Sequence, residues 1–177
     1  MRRRHGLRRS YAGDGYLNGV NVNDPAELAQ EVARRADGND VTVAVAESLT
    51  CGRVVSELGR GEAASDWLKG GVVAYATDVK RRVLGVWDGP VVTARCAEEM
   101  AAGVARVLGA DIGIATTGVG GPGADEGRPA GTVYIGWARG GEVGSELHHF
   151  EGEPTDVVEK TVTAALSLLL QKLTTVG

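Results

Sequence analysis

Ser48 and Lys80 are the two residues whose types could act together on a substrate. A serine hydroxyl is a weak nucleophile until a base takes its proton, and a lysine desolvated beside it can lose its own proton and serve as that base. Ser48 follows Val41-Thr42-Val43-Ala44-Val45-Ala46 and Glu47, where a β-branched run gives way to a helix-like pattern. A hydroxyl at such a junction can cap a free N–H of the first helical turn. It can equally sit beside unpaired N–H groups and the positive end of a helix dipole, which suits an oxyanion. Both readings of Ser48 are open on local sequence, and they overlap. Lys80 taken alone is compatible with a solvated lysine as well as with a base. Tyr75, shortly before it, could donate to or relay the same proton, or form an amphipathic wall. The histidines give no Ser-His-Asp order: His5 lies in the N-terminal segment, and His148 and His149 are neighbours in a strand-like stretch.

A second stretch with chemical potential is Gly118-Val119-Gly120-Gly121-Pro122-Gly123. A loop of this kind can bring backbone N–H groups close to an anion, or it can be a long turn. It has neither the Gly-Lys-Ser/Thr of a phosphate loop nor the opening helix of a dinucleotide fingerprint. Arg128-Pro129, just beyond, offers a fixed cation for a phosphate or carboxylate. Cys51 stands near a helix start, where a thiol's pKa would fall, or it fills a small space. No Cys, His, Asp or Glu cluster has metal-ligand spacing, so neither metal nor organic cofactor is expected.

The elements that must position these groups read as alternating strands and helices. Asp24-Pro25 predicts a helix start, with Leu28, Val32 and Ala33 at helical spacing and an end near Gly38. Strands are expected at 41–46, 71–76 and 112–117, the last running into the glycine loop at 118–131. A brief helix carries Val79, Val83 and Leu84, and an Ala-rich helix spans 94–109. Residues 132–137 and 146–150 read as two strands joined through Arg139-Gly140-Gly141, a hairpin signal. A packing helix over about 156–173 closes the pattern. This order predicts an α/β fold, a mostly parallel sheet covered on both sides with an antiparallel edge. Loops beginning at Glu47, Ala76 and Gly118 would then line one crevice at the strands' carboxyl ends.

Composition narrows the function classes. The 177 residues suit one domain, over 25–177, and apolar and charged contents of 43% and 24% are ordinary for a globular chain. A net charge of -4 argues against a dedicated nucleic-acid binder. Residues 1–24, with Arg2, Arg3 and Arg4, read as a mobile tail or over-long start, a nucleic-acid arm being the sharper alternative. Cys51 and Cys96 give no disulfide framework, and no apolar run could cross a bilayer or follow Arg4 as a signal peptide. The expectation is a cytoplasmic protein acting on small molecules.

Four ordered blocks then resemble one family. Ala46-Glu47-Ser48-Leu49-Thr50-Cys51-Gly52 is similar to the Ala-Glu-Ser-x-Thr-Gly-Gly signature of the CinA carboxy-terminal family, the competence/damage-inducible proteins. Gly70-Gly71-Val72-Val73-Ala74-Tyr75 with Lys80 resembles its second block, and Thr117 to Gly123 and Pro129-Ala130-Gly131-Thr132-Val133 resemble the third and fourth. The match covers roughly 25–173. The resemblance implies a three-layer αβα domain, in its stand-alone form, that deamidates nicotinamide mononucleotide to nicotinic acid mononucleotide and ammonia, a step in pyridine nucleotide salvage. It implies Ser48 as nucleophile, Lys80 as its base and Tyr75 as a partner. Glu47, Thr50, Gly52, Thr117, Gly118 and Gly121 fall in its substrate-facing loops, with Arg128 beside them. A homodimer or higher assembly is expected with it. The chain departs from the pattern at Cys51, which replaces a glycine, and at Arg53. It departs again at Phe150-Glu151-Gly152-Glu153-Pro154 and at Val158-Glu159, where the family tends to carry arginines. If those arginines hold the nucleotide phosphate, a bidentate cation is missing here.

Overall fold

The computed structural model describes residues 15–17 and 20–174. A two-stranded ladder comes first, β1 (Tyr16–Leu17) against β2 (Val20–Asn21), with Tyr16 opposite Asn21. Asn21 also donates its N–H to Glu27 Oε2, so the described part of the expected tail is paired. Residues 1–14, with the arginine cluster and His5, lie outside the described residues. Helix α1 (Pro25–Gly38) starts where the sequence signals it: Asp24 accepts from the N–H groups of Ala26 and Glu27, and proline takes the first helical position.

The remaining elements are β3 (Val43–Glu47), α2 (Arg53–Leu58), α3 (Ala64–Trp67), β4 (Leu68–Val73), α4 (Thr77–Leu84), α5 (Ala94–Leu108) and β5 (Ile112–Gly118). They are followed by β6 (Thr132–Arg139), β7 (Glu142–His149) and α6 (Pro154–Thr174). Five strands form one sheet in the order β4-β3-β5-β6-β7; β3 runs parallel to β4 and β5, and β6 and β7 continue antiparallel. The Gly140-Gly141 connection between β6 and β7 turns in two residues, both at positive φ, as the hairpin signal requires.

Period-two alternation divides the core. Val43, Val45, Ile112, Ile114, Val133 and Ile135 face α1, α2 and α6, while Ala44, Ala46 and Ala115 face α4 and α5. Three layers result, helices on both faces of a sheet, in accord with the near-continuous burial of β3 and β5. Among the described residues no helix is long and apolar enough to cross a membrane.

Boundaries differ from the sequence reading at β7, at β4 and just after β3. β7 spans Glu142–His149 rather than 146–150, because the two-residue turn pairs it with β6 from Arg139 opposite Glu142 onward. β4 begins at Leu68 and ends at Val73 rather than spanning 71–76, because its parallel pairing with β3 sets Leu68 opposite Val43 and Val73 opposite Glu47. The chain after β3 does not enter a helix at Ser48; residues 48–52 turn, and α2 starts at Arg53.

Candidate active site

The parallel strands β3, β4 and β5 end together, at Glu47, Val73 and Gly118. The loops that follow them are the three expected to share a crevice. Ser48 is held at the tip of β3 by its N–H, which donates to Thr116 O at 3.1 Å, and by its carbonyl, which accepts from Cys51 N–H at 3.1 Å. Since Ala44 and Ala46 face α4 and α5, alternation along β3 aims residue 48 to that same side. Glu47 points to the other.

Lys80 reaches Ser48 from α4. Its Nζ donates to Ser48 Oγ at 3.0 Å and to the Tyr75 carbonyl at 3.0 Å, and the residue is 1% exposed. No carboxylate among the described residues lies within ion-pair distance of it. Burial therefore pushes the ammonium below the ordinary lysine pKa, opposed by Cys96, Glu126 and Asp125. Burial likewise pushes the Cys96 thiol up to about 11, so Cys96 is neutral at neutral pH and the opposition there comes from the two carboxylates. A buried amine with its pKa lowered by burial, hydrogen-bonded to a serine hydroxyl, is what a Ser-Lys pair needs.

The other expected site residues take different parts. The N-cap of α2 is Gly52, at φ 94°, so Ser48 does not cap the helix. The capping is done by Glu47, 1% exposed, whose carboxylate accepts from the N–H groups of Gly52, Val54 and Val55 at 2.8–3.1 Å. Glu47 thus fixes the loop around Ser48, and three N–H groups that could have faced an oxyanion are taken. Leu49 and Thr50 have backbone N–H groups without a partner among the described residues. The Thr50 and Thr116 hydroxyls bond each other at 2.8 Å, buried, and the buried Thr117 hydroxyl donates to Val91 O at 2.8 Å. These threonines brace the loops.

Tyr75 contributes its carbonyl; its side chain is 69% exposed and its phenol has no hydrogen-bond partner among the described residues. Gly118 is required by close approach, since a Cβ there would meet Thr132 O at 2.5 Å. Gly121 is at φ 97° in the loop, and Gly120 brings that loop to Leu49, whose Cβ would lie 3.9 Å from an added methyl. Arg128 is exposed and forms no ion pair with a described residue. Cys51 is exposed, and Cys96 buried.

His148 and His149 lie on β7, three strand positions from β3, about 14 Å at ordinary strand spacing. His148 stacks on Phe150 there. Glu126 and Cys96, whose charges act on Lys80, are not legible in sequence: neither has a motif, and only folding brings them into range of α4. A cavity of about 700 Å³ lies between α2 and α6, lined by Arg53, Ser56, Glu57, Phe150, Glu159 and Lys160. It shares no residue with the Ser48–Lys80 pair and opens on the other face of the sheet. Among the described residues no group of three His, Cys, Asp or Glu is placed to hold a metal ion.

Comparison with known proteins agrees with this fold. The model of the CinA C-terminal domain matches residues 25–173. The chain is 40% identical over 150 residues to a putative competence-damage inducible protein of Desulforamulus reducens, covering 82% of this chain and 36% of that protein. It is 36% identical over 155 residues to its namesake in Bacillus subtilis, covering 85% and 37%. The chain thus spans little more than a third of the length of these curated relatives. Among solved structures, a competence-damaged protein (CinA) superfamily protein from Enterobacter cloacae superposes with a TM-score of 0.83 at 31% identity, covering 96% of this chain and all of that one. One from Klebsiella pneumoniae gives 0.81 at 33%, covering 85% and 98%.

Proposed function

The chain belongs to the CinA C-terminal domain family, and from that premise we propose that it is an amidohydrolase that deamidates a nicotinamide nucleotide through Ser48 and Lys80. The observation that carries this reading is the buried Lys80 Nζ, with no carboxylate of the described residues at ion-pair distance, 3.0 Å from Ser48 Oγ. Once neutral, Nζ accepts the proton that Ser48 Oγ gives up as it attacks the carboxamide carbon. The Lys80 ammonium then returns that proton to the leaving nitrogen; the C–N bond breaks, ammonia departs, and the acyl group stays on Ser48. A water, deprotonated by the same amine, attacks the ester carbon and releases the acid. The free N–H groups of Leu49 and Thr50, with those of the glycine loop that Gly120 brings to Leu49, are the donors nearest a developing oxyanion; one such donor is worth ~3–4 kcal/mol in comparable sites. The exposed Tyr75 phenol is left to the substrate at the mouth.

Ammonia release from a panel of pyridine nucleotides and simple carboxamides tests the reading. Release from nicotinamide mononucleotide supports it, and no release from any carboxamide would overturn it.

One observation favours a changed substrate, or a binding module in competence or damage response. Pro154 stands at a family arginine position and packs beside the glycine loop, 3.6 Å from a Cβ added at Gly121, amid Glu151, Glu153, Asp156 and Glu159. A phosphate there must rely on Arg128 or on backbone N–H groups. Poor discrimination between nicotinamide mononucleotide and its dephosphorylated riboside is the expected result, because a lost charge-assisted contact removes about 1.5–3 kcal/mol of preference, or one to two powers of ten. The ratio of kcat/KM for the two substrates measures this. A preference above about a thousandfold would contradict it and direct attention to Arg128→Ala.

A further inference from the structure

The far end of the 118–131 loop is a two-residue turn. Asp125 and Arg128 exchange both backbone hydrogen bonds, at 3.0 and 2.8 Å, and the residues between them, Glu126 and Gly127, have φ of 47° and 72°. Glycine adopts such angles freely, whereas glutamate does so only when its surroundings hold it. Here they do. The Glu126 carboxylate accepts from Val91 N–H at 2.8 and 3.1 Å and from Val92 N–H at 2.8 Å. Those residues immediately precede Thr93, the N-cap of the fifteen-residue helix α5, where a negative charge is favoured by the helix dipole.

From Val91 the contacts lead to the reacting pair. The Val91 carbonyl accepts from the Thr117 hydroxyl at 2.8 Å, Thr117 lies beside the Cys96 thiol, and Cys96 is near enough to Lys80 for their charges to interact. On the reading that Ser48 and Lys80 carry the reaction, we propose that Glu126 is a positioning residue: it fastens the glycine loop to the 91–92 segment at the start of α5 and adds a negative charge to the field that Lys80 senses. Nothing in the Ser-Lys chemistry itself calls for it.

The groups facing Lys80 make the consequence definite. From α5 comes Cys96, from the loop Glu126 and Asp125, and from the turn after β3 the Ser48 hydroxyl. On α4 itself Asp78 pairs with Arg82, and Arg81 turns to Asp88. Burial pushes the Lys80 ammonium toward losing its proton, and the carboxylates resist. Taking away the Glu126 charge leaves burial less opposed, so the proton leaves at lower pH.

Glu126→Gln and Glu126→Ala in the full chain separate the two parts. The glutamine keeps an acceptor oxygen for Val91 and Val92 but has no charge; the alanine has neither. With ¹³C-labelled lysine, the four lysines of the sequence give few side-chain signals, and the one missing from Lys80→Arg is that of Lys80. Its titration midpoint is expected to fall in both variants. KM for nicotinamide mononucleotide is expected to stay within about threefold in Glu126→Gln and to rise roughly tenfold or more in Glu126→Ala, as loss of a charge-assisted contact would give. An unchanged Lys80 midpoint in Glu126→Gln overturns the charge role, and an unchanged KM in Glu126→Ala overturns the anchoring role. The lysine titration needs no substrate. A shifted midpoint in a protein that releases ammonia from no carboxamide would therefore sustain this inference while sinking the amidase reading.

Discussion

Replacing Ser48 by alanine is expected to lower kcat by ~10⁴-fold or more, since removal of a nucleophile leaves only the rate that binding and oxyanion contacts supply. The same change should cost little in stability. Ser48 Oγ is not a helix cap, and its one hydrogen bond, from Lys80 Nζ, leaves Lys80 still bonded to the Tyr75 carbonyl. A loss of about 1 kcal/mol follows, or a Tm lower by roughly 2–4 °C for a chain of this size. Ammonia release measured beside a thermal melt separates the two quantities. Full turnover in a folded Ser48→Ala protein would exclude the nucleophile.

Lys80→Arg is expected to be nearly as damaging, a fall of about 10²–10⁴-fold, the usual worth of a general base. A guanidinium keeps the positive charge but cannot be deprotonated, so an electrostatic role would survive the exchange in part and a base would not. The pH dependence supplies an independent reading. The base acts in its neutral form, and burial holds Lys80 below the ordinary lysine range, so kcat/KM should rise with pH through that lowered value and level off above it. A flat profile between about pH 6 and 9 would contradict the assignment.

Elements with strong local signals are legible in the sequence. Asp24-Pro25 set the start of α1, the β-branched runs gave β3 and β5, and Gly140-Gly141 gave the hairpin, because each depends on neighbours in the chain. The start of β4 at Leu68-Lys69-Gly70 was not legible: its residues have no strand character, and pairing with β3 alone makes it a strand. Ser48 and Lys80 were found as candidate types, but their 3.0 Å contact depends on β3 and α4 meeting at one edge of the sheet. Glu47 as the cap of α2 is not legible, because it reaches Gly52, Val54 and Val55 from the end of the preceding strand, whereas a capping residue is ordinarily sought at the helix start. Thr50 and Thr117 read as substrate-facing from motif position; that their hydroxyls also bond Thr116 and Val91 depends on strands meeting in the fold. Glu126 left no trace in any pattern, since an acidic residue in a polar loop is ordinarily solvated.

The central claim is that a carboxamide is attacked at Ser48. Its most direct test is a crystal structure of Ser48→Ala, in which substrate would survive, with nicotinamide mononucleotide bound. The carboxamide carbon is expected within about 4 Å of the residue 48 side chain and its nitrogen within hydrogen-bond reach of Lys80 Nζ, near-attack distances for this chemistry. A nucleotide whose carboxamide lies away from residue 48, for instance in the cavity between α2 and α6 lined by Arg53 and Lys160, would contradict it.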